Sequence, residues 1–313
     1  MDVGLYIGGH GYNSLMMTWT FGISEVTTMP WRFEEDVARY GSLGAHAIEI
    51  WEKKLDADPG RRREQLRLPA ANGLAVSSFQ ASVHALYPTH LKPEPQDFDA
   101  RLAAFVATLE ATAPFMPGSA FVLNTGLAKG GDVERAFVRT CRAYRELARR
   151  AESLGVRLAL EPLNPLAMNE DTFVWNLEDA VAILDAVDHP ALGICADIWN
   201  LAGQYDLRTR LTHCAGRIFL AQVSDWRRPR SFLDRLAVGD GALDFQPFLA
   251  GLRDASYDGP LVLEIFSQDV SDSLYDGDLR AVVTRSREAL ERHQRAALRA
   301  ISQQTIPSAA VVK

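Results

Sequence analysis

The chain has 313 residues, 47% of them hydrophobic and 23% charged, an ordinary globular composition able to bury a full core. It carries 33 basic and 40 acidic side chains, for a formal charge of −7. That argues against a nucleic-acid or acidic-membrane binder, since phosphate recognition needs a basic surface.

In chain order, residues 1–13 read as an N-terminal arm. A first strand is expected at Leu15–Phe21, a helix at Phe33–Leu43 and a strand at Ala45–Trp51. A helix over Gly60–Asn72 stops at Gly73, and Leu74–Ser82 is the third strand. Helix Phe98–Ala113, strand Ala120–Thr125 and the long helix Val133–Leu154 follow. The second half gives strands at Val156–Glu161, Leu192–Asp197, Arg217–Ser224 and Leu261–Ile265. Helices at Leu177–Val187, Leu207–Cys214 and Phe245–Ala255 separate them. A last helix runs from Asp278 to Ser302, and residues 303–313 read as a disordered tail.

Eight βα units predict a single (β/α)8 barrel over residues 14–302. A doubly wound open sheet is the alternative, but Gly8-Gly9-His10-Gly11 precedes the first strand and has the wrong spacing for a dinucleotide turn. Segments 84–97, 162–176 and 225–243 all follow strands, so they cluster on one face. Cys141, Cys195 and Cys214 are odd in number and outside any CxxC, which argues against a disulfide framework or a structural zinc site. No apolar run approaches the roughly 20 residues that span a bilayer. The start, Met1-Asp2-Val3-Gly4, lacks the regions of a signal peptide, so a cytoplasmic protein is expected.

Four late strands are apolar runs that each end in one ligand-capable residue: Glu161, Asp197, Gln222 and Glu264. In a barrel such strand ends converge on the active site. Three carboxylates and an amide oxygen gathered there would repel one another, and a divalent cation resolves the repulsion. The bland alternative for each residue is a helix cap or a solvated loop position.

The stretches Ala47-Ile48-Glu49-Ile50-Trp51, Leu74-Ala75-Val76-Ser77-Ser78, Leu160-Glu161-Pro162-Leu163-Asn164, Ala196-Asp197-Ile198-Trp199-Asn200, Gln222-Val223-Ser224-Asp225 and Leu263-Glu264 occur in a telling order and spacing. Through them the chain resembles the xylose-isomerase-like barrels, the sugar isomerase and epimerase superfamily, over about residues 14–300. The resemblance implies a metal site of Glu161, Asp197, Gln222 and Glu264, with Gln222 where the family usually has His. Asn200 stands where the family often has a substrate-contacting His. An all-oxygen set favours Mn²⁺, with Mg²⁺ or Co²⁺ as alternatives, over zinc. The resemblance further implies that the metal polarises a sugar carbonyl while Glu161 and Glu264 remove and return a proton through an enediolate. Isomerisation or epimerisation is the leading outcome. A lyase of the same family (an inosose-type dehydratase or an oxidised C-glycoside deglycosidase subunit) and a non-catalytic sugar-binding barrel stay open.

His84, just past the third strand, is a substrate contact or base, or else an ordinary hydrogen-bonding loop residue. Asn164 and Asn200 suit sugar hydroxyls or, equally, turn chemistry. Trp19 and Trp51 are candidates for stacking on a sugar ring, plain core being the alternative; Trp199 and Trp226 also fall near strand ends. Arg235, with Arg227, Arg228 and Arg230, forms a basic cluster suited to an acidic substrate group or to solvent. Glu49 reads equally well as a solvated strand residue. Abasic-site endonucleases share this barrel but use a His-rich metal cluster, and none of the seven His here falls on the late strand ends. The expected partners are a small carbohydrate and a second copy of the chain in a homo-oligomer, through helix 278–302 or the N-terminal arm, or a small partner subunit.

Overall fold

The computed structural model describes residues 18–304 except 169 and 228–232. The expected N-terminal arm, the tail beyond 304, Arg228 and Arg230 lie outside the described residues.

Eight parallel strands close into a barrel. In chain order the strands are β1 (Phe21–Ser24), β2 (Ala47–Trp51), β3 (Ala75–Gln80), β4 (Ala120–Leu123), β5 (Arg157–Leu160), β6 (Leu192–Asp197), β7 (Ile218–Val223), the two-residue pieces β8 (Asp225–Trp226) and β9 (Arg235–Leu236), and β10 (Leu261–Leu263). The barrel order is β1-β10-β7-β6-β5-β4-β3-β2, while β8 and β9 pair antiparallel inside the loop after β7. The helices are α1 (Phe33–Tyr40), α2 (Pro59–Gln65), α3 (Leu68–Ala71), α4 (Phe98–Thr112), α5 (Val133–Ser153), α6 (Leu177–Val187), α7 (Ile198–Leu201), α8 (Leu207–Thr212), α9 (Gln246–Asp254) and α10 (Leu279–Gln304). Among the described residues no helix is long and apolar enough to cross a membrane.

The helices follow from capping and periodicity. Asp132 caps α5 through Arg135 N at 3.0 Å, and Ala136, Thr140, Tyr144, Leu147 and Ala151 recur at helical spacing along its buried face. The helix expected over 60–72 is two short ones, since Pro69 cannot donate a hydrogen bond to continue the first.

The first strand begins at Phe21, later than the expected Leu15–Phe21. Trp19 therefore precedes it and lies at the N-terminal mouth, opposite the strand ends that carry chemistry. Its indole Nε1 donates to Tyr257 O at 2.7 Å and its backbone N to Gln294 Oε1 at 3.0 Å. The expected substrate contact at Trp19 is thus corrected: this side chain helps to close the barrel bottom.

Strand side chains alternate across a sheet with period two. Inside the barrel, Val122, Ala159, Cys195, Leu220 and Val262 pack as an apolar plug. Two residues further on, the same strands deliver Asn124, Glu161, Asp197, Gln222 and Glu264, so the polar layer rests on the plug. The pairing register shifts at Ile48/Glu49 and at Ile194/Cys195, just below this layer.

Candidate active site

Three carboxylates meet at the C-terminal end of the barrel. Glu161 follows β5, Asp197 ends β6 and Glu264 follows β10; all are buried, and one oxygen from each lies within 4.8 Å of the others. The strands fix the outer two through Glu161 N to Leu123 O at 2.9 Å and Glu264 N to Val223 O at 3.0 Å.

Each carboxylate has its own set of donors. Asn200 Nδ2 donates to Glu161 Oε1 at 2.8 Å and to Asp197 Oδ2 at 2.9 Å. Asp197 Oδ1 caps α7 by accepting from Trp199 N at 2.9 Å, which aims Asn200 back at the cluster. Asn124 Nδ2 approaches Glu161 Oε2 at 3.3 Å, and its backbone carbonyl is held by Tyr144 of α5 at 2.9 Å. Arg235 reaches in from β9: its Nη1 lies 2.9 Å from Asp197 Oδ2 and 2.8 Å from Glu264 Oε2. The guanidinium lies near the rings of Trp199 and Phe266, 5.0 and 5.1 Å from their centroids.

A fourth carboxylate joins from β2. Glu49 is fully buried and accepts from Ser78 Oγ at 2.7 Å, Gln80 Nε2 at 2.9 Å and Gln222 Nε2 at 3.0 Å. Gln80 and Gln222 also donate to Glu264 Oε1, Gln222 at 3.0 Å. Gln222 therefore turns its nitrogen to the carboxylates, while its oxygen receives the Cys195 thiol at 3.0 Å. The expected metal-ligating oxygen of Gln222 is corrected accordingly: three acceptors surround the nitrogen and decide which way the amide points.

Burial dominates the electrostatics. It pushes the Glu161 carboxyl up to about 8, with the Asp197 charge adding and Arg235 opposing. Glu264 is driven well above the usual carboxylate range by burial, against the pull of Arg235. Glu49 and Asp197 are raised for the same first reason. Burial alone would lower Arg235, but Asp197, Glu264 and Glu161 outweigh it and hold the guanidinium charged. One guanidinium thus faces four buried carboxyls. That charge deficit, with three carboxylate oxygens in reach of one point, fits a hard divalent cation.

Through Glu161 and Glu264 the cluster forms the floor of a cavity of about 190 Å³, with Asp197 and Glu49 fully buried behind them. Trp51, His84, Asn200 and Arg235, the candidate substrate contacts, line it, and so do Gln80, Lys53, Lys92 and Asp171. A larger concavity of about 650 Å³ lies among Leu207, Trp226, Pro247 and Ala297. It holds none of the carboxylate cluster, so size does not select the site. Asn164 is buried beside the cavity, where its backbone N donates to Asn200 Oδ1 at 2.8 Å and its own Oδ1 accepts from Leu166 N. It positions Asn200 and is not among the residues lining the cavity. Arg227 pairs outside with Asp234 and Asp272.

Sequence reasoning passed over Gln80 and Ser78, and left Glu49 undecided. The signal for Glu49 was an acidic residue between apolar neighbours in a strand with both faces covered, which leaves the barrel interior as its place.

A family model described as xylose isomerase-like TIM barrel matches residues 37–300. The ketose 3-epimerase of Arthrobacter globiformis is 29% identical over 130 residues, 41% of either chain, so the match spans less than half of that relative. The solved structure of an L-ribulose 3-epimerase superposes with a TM-score of 0.72 at 19% identity, covering 93% of this chain and 99% of that one. The IOLI protein, whose structure has a binding zinc atom, gives 0.70 at 17% identity, covering 89% and 99%. At those identities the two superpositions speak for the fold.

Proposed function

The chain belongs to the xylose isomerase-like TIM barrel family, and from that membership we propose that it is a divalent-metal-dependent isomerase or epimerase of a sugar or keto-sugar. The observation that carries this reading is the buried convergence of Glu161, Asp197 and Glu264 at the floor of a sugar-sized cavity. The partial likeness to a ketose 3-epimerase supports the same direction.

Glu161, Asp197 and Glu264 would hold the ion, their oxygen donors suiting Mn²⁺ or Mg²⁺ better than zinc, and it would supply Lewis acidity to a substrate carbonyl. The remaining work falls to side chains. Without the ion, burial raises the Glu161 and Glu264 carboxyls above the ordinary carboxylate range, so this floor takes up a proton more readily than exposed acids do. Glu161 and Glu264 are the pair that removes a proton from carbon and returns it. Arg235 balances charge on Asp197 and Glu264 and stays in reach of substrate oxygen. Gln80 and Gln222 fix the Glu264 carboxylate by its Oε1. Asn200, donating to Glu161 and Asp197, keeps both aimed at the cavity. Trp51 offers a ring at the wall, and the floor's depth limits water around the reacting carbon.

The test is proton exchange. The protein is incubated with Mn²⁺ and a panel of ketoses in D₂O, and products are identified by NMR. Deuterium at the carbon beside the carbonyl, with an epimer or isomer formed, is the expected result. Glu161→Gln and Glu264→Gln should each lower the rate by about 10²–10⁴-fold. Loss of water or of an aglycone, with no deuterated epimer, would replace this reading by the lyase.

A further inference from the structure

The cavity has two electrically different ends. Its floor is the carboxylate cluster, but its flank carries cations. Lys92 and Lys53 both line it, from the loop after β3 and from the turn after β2. Among the described residues, no carboxylate forms an ion pair with Lys92, Lys53 or Arg101. Lys92 Nζ instead lies 2.9 Å from His84 Nδ1, which is itself 2.8 Å from Ala81 O.

Lys92 is held there deliberately. Its backbone N donates to Thr89 Oγ1 at 2.9 Å, and its carbonyl accepts from Arg101 Nη1 at 3.1 Å. Arg101 is itself fully buried and spends its other bonds on Ala85 O at 2.6 Å and Pro95 O at 3.0 Å. A buried guanidinium bonded only to loop carbonyls, with Nη2 left without a partner, fixes the loop and adds its positive charge to that felt by Lys92. Burial, then the charges of Lys53 and Arg101, pulls the Lys92 ammonium down to about 7; Glu52, and Asp171 of the same cavity lining, oppose this without forming an ion pair with it. An ammonium so placed lacks a counter-anion, and the open side of the group is the cavity.

We propose that Lys92, with Lys53 at the rim, is an anion subsite that takes the carboxylate or phosphate of an acidic sugar, the far end of which lies on the carboxylate floor. The inference rests on the sugar-isomerase reading and narrows it to an anionic substrate. The small volume suits one monosaccharide unit bearing that group.

Calorimetric titration of the full chain with Mn²⁺ present compares three probes: 5-keto-D-gluconate for the carboxylate, D-fructose 6-phosphate for the phosphate and D-fructose as the neutral sugar. One anionic probe should bind at least tenfold more tightly than D-fructose, and which one does so identifies the group. Lys92→Met should abolish that preference. Lys53→Met, at an exposed rim position, should reduce it about threefold and serves if Lys92→Met does not fold. Equal or tighter binding of D-fructose, no anion binding, or a Lys92→Met variant that retains the preference overturns the proposal. The readout is independent of turnover. Tight anion binding without proton exchange in D₂O would sink the isomerase reading alone, and exchange on a neutral ketose without anion preference would sink the subsite alone.

Discussion

Gln222 Nε2 lies 3.0 Å from Glu49 Oε1, joining a late barrel strand to an early one at the centre of the polar layer. The amide thereby holds two acids of the floor, Glu49 and Glu264, at once. Replacing it with Ala leaves buried oxygens short of a donor and should cost about 1–3 kcal/mol in denaturant unfolding. Gln222→His places an imidazole nitrogen beside the triad and should tighten Mn²⁺ binding at least tenfold, read by equilibrium dialysis with elemental analysis. Unchanged affinity would show that position 222 stands outside the coordination sphere.

Arg235 is the cation that the floor already owns. Arg235→Met should destabilise the metal-free protein by about 3–5 kcal/mol, because Asp197 and Glu264 lose their shared partner in a buried setting. Added Mn²⁺ should restore part of that loss. Melting curves with and without the ion read both effects, and a variant as stable as the parent without metal would refute the charge argument.

His84 gives a pH signature. Burial, then the Lys92 charge, lowers its imidazole to about 3 from the ordinary 6.5. Below pH 6.5 the unfolded chain takes up a proton there and the folded chain does not. The stability contributed by neutral His84 is therefore complete above pH 6.5 and is lost as pH falls toward 3, at roughly 1.4 kcal/mol per unit. His84→Asn should show a shallower acid limb than the parent, by about 2 kcal/mol between pH 7 and pH 5. Parallel limbs in paired unfolding curves would show that His84 titrates normally.

Asp225 anchors the loop that delivers Arg235. Its carboxylate accepts four backbone N–H groups: Trp226 at 2.9 Å, Gly239 and Gly241 each at 3.1 Å, and Leu243 at 3.0 Å. A Cβ at Gly241 would meet Asp225 Oδ1 at 2.3 Å, so the close approach requires glycine there. Asp225→Asn should cost about 2–3 kcal/mol and lower kcat/KM, since a neutral amide cannot accept all four bonds. Retained stability with retained kcat/KM would show that the loop is held by other contacts.

The late half of the floor was legible because each strand there is an apolar run closed by one polar residue, and strand ends of a parallel barrel share one face. Glu161, Asp197 and Glu264 follow from that pattern. The early half was not. Glu49 sits within a strand whose alternation reads the same for an inward or an outward acid until the barrel closes. The Leu15–Phe21 expectation misplaced Trp19 because apolar residues run on into the strand without a turn signal. Lys92 and Arg101 are bonded through backbone carbonyls of a proline-containing loop, contacts that depend on its path and leave no residue pattern. The pairing of β8 with β9 escaped for the same reason, being two residues long on each side.

That short pairing separates two jobs within one loop. Arg235 is fixed by its partner Trp226, by its N–H to Phe266 O at 2.8 Å and by the Asp225 anchor behind it. None of these depends on the identity of the residues joining the two short strands, where Leu233 faces the cavity. Substitution at Leu233 thus alters what the cavity admits while the guanidinium keeps its post. Selection, or an engineer, can reshape the cavity wall at that one position without disturbing the carboxylates beneath it.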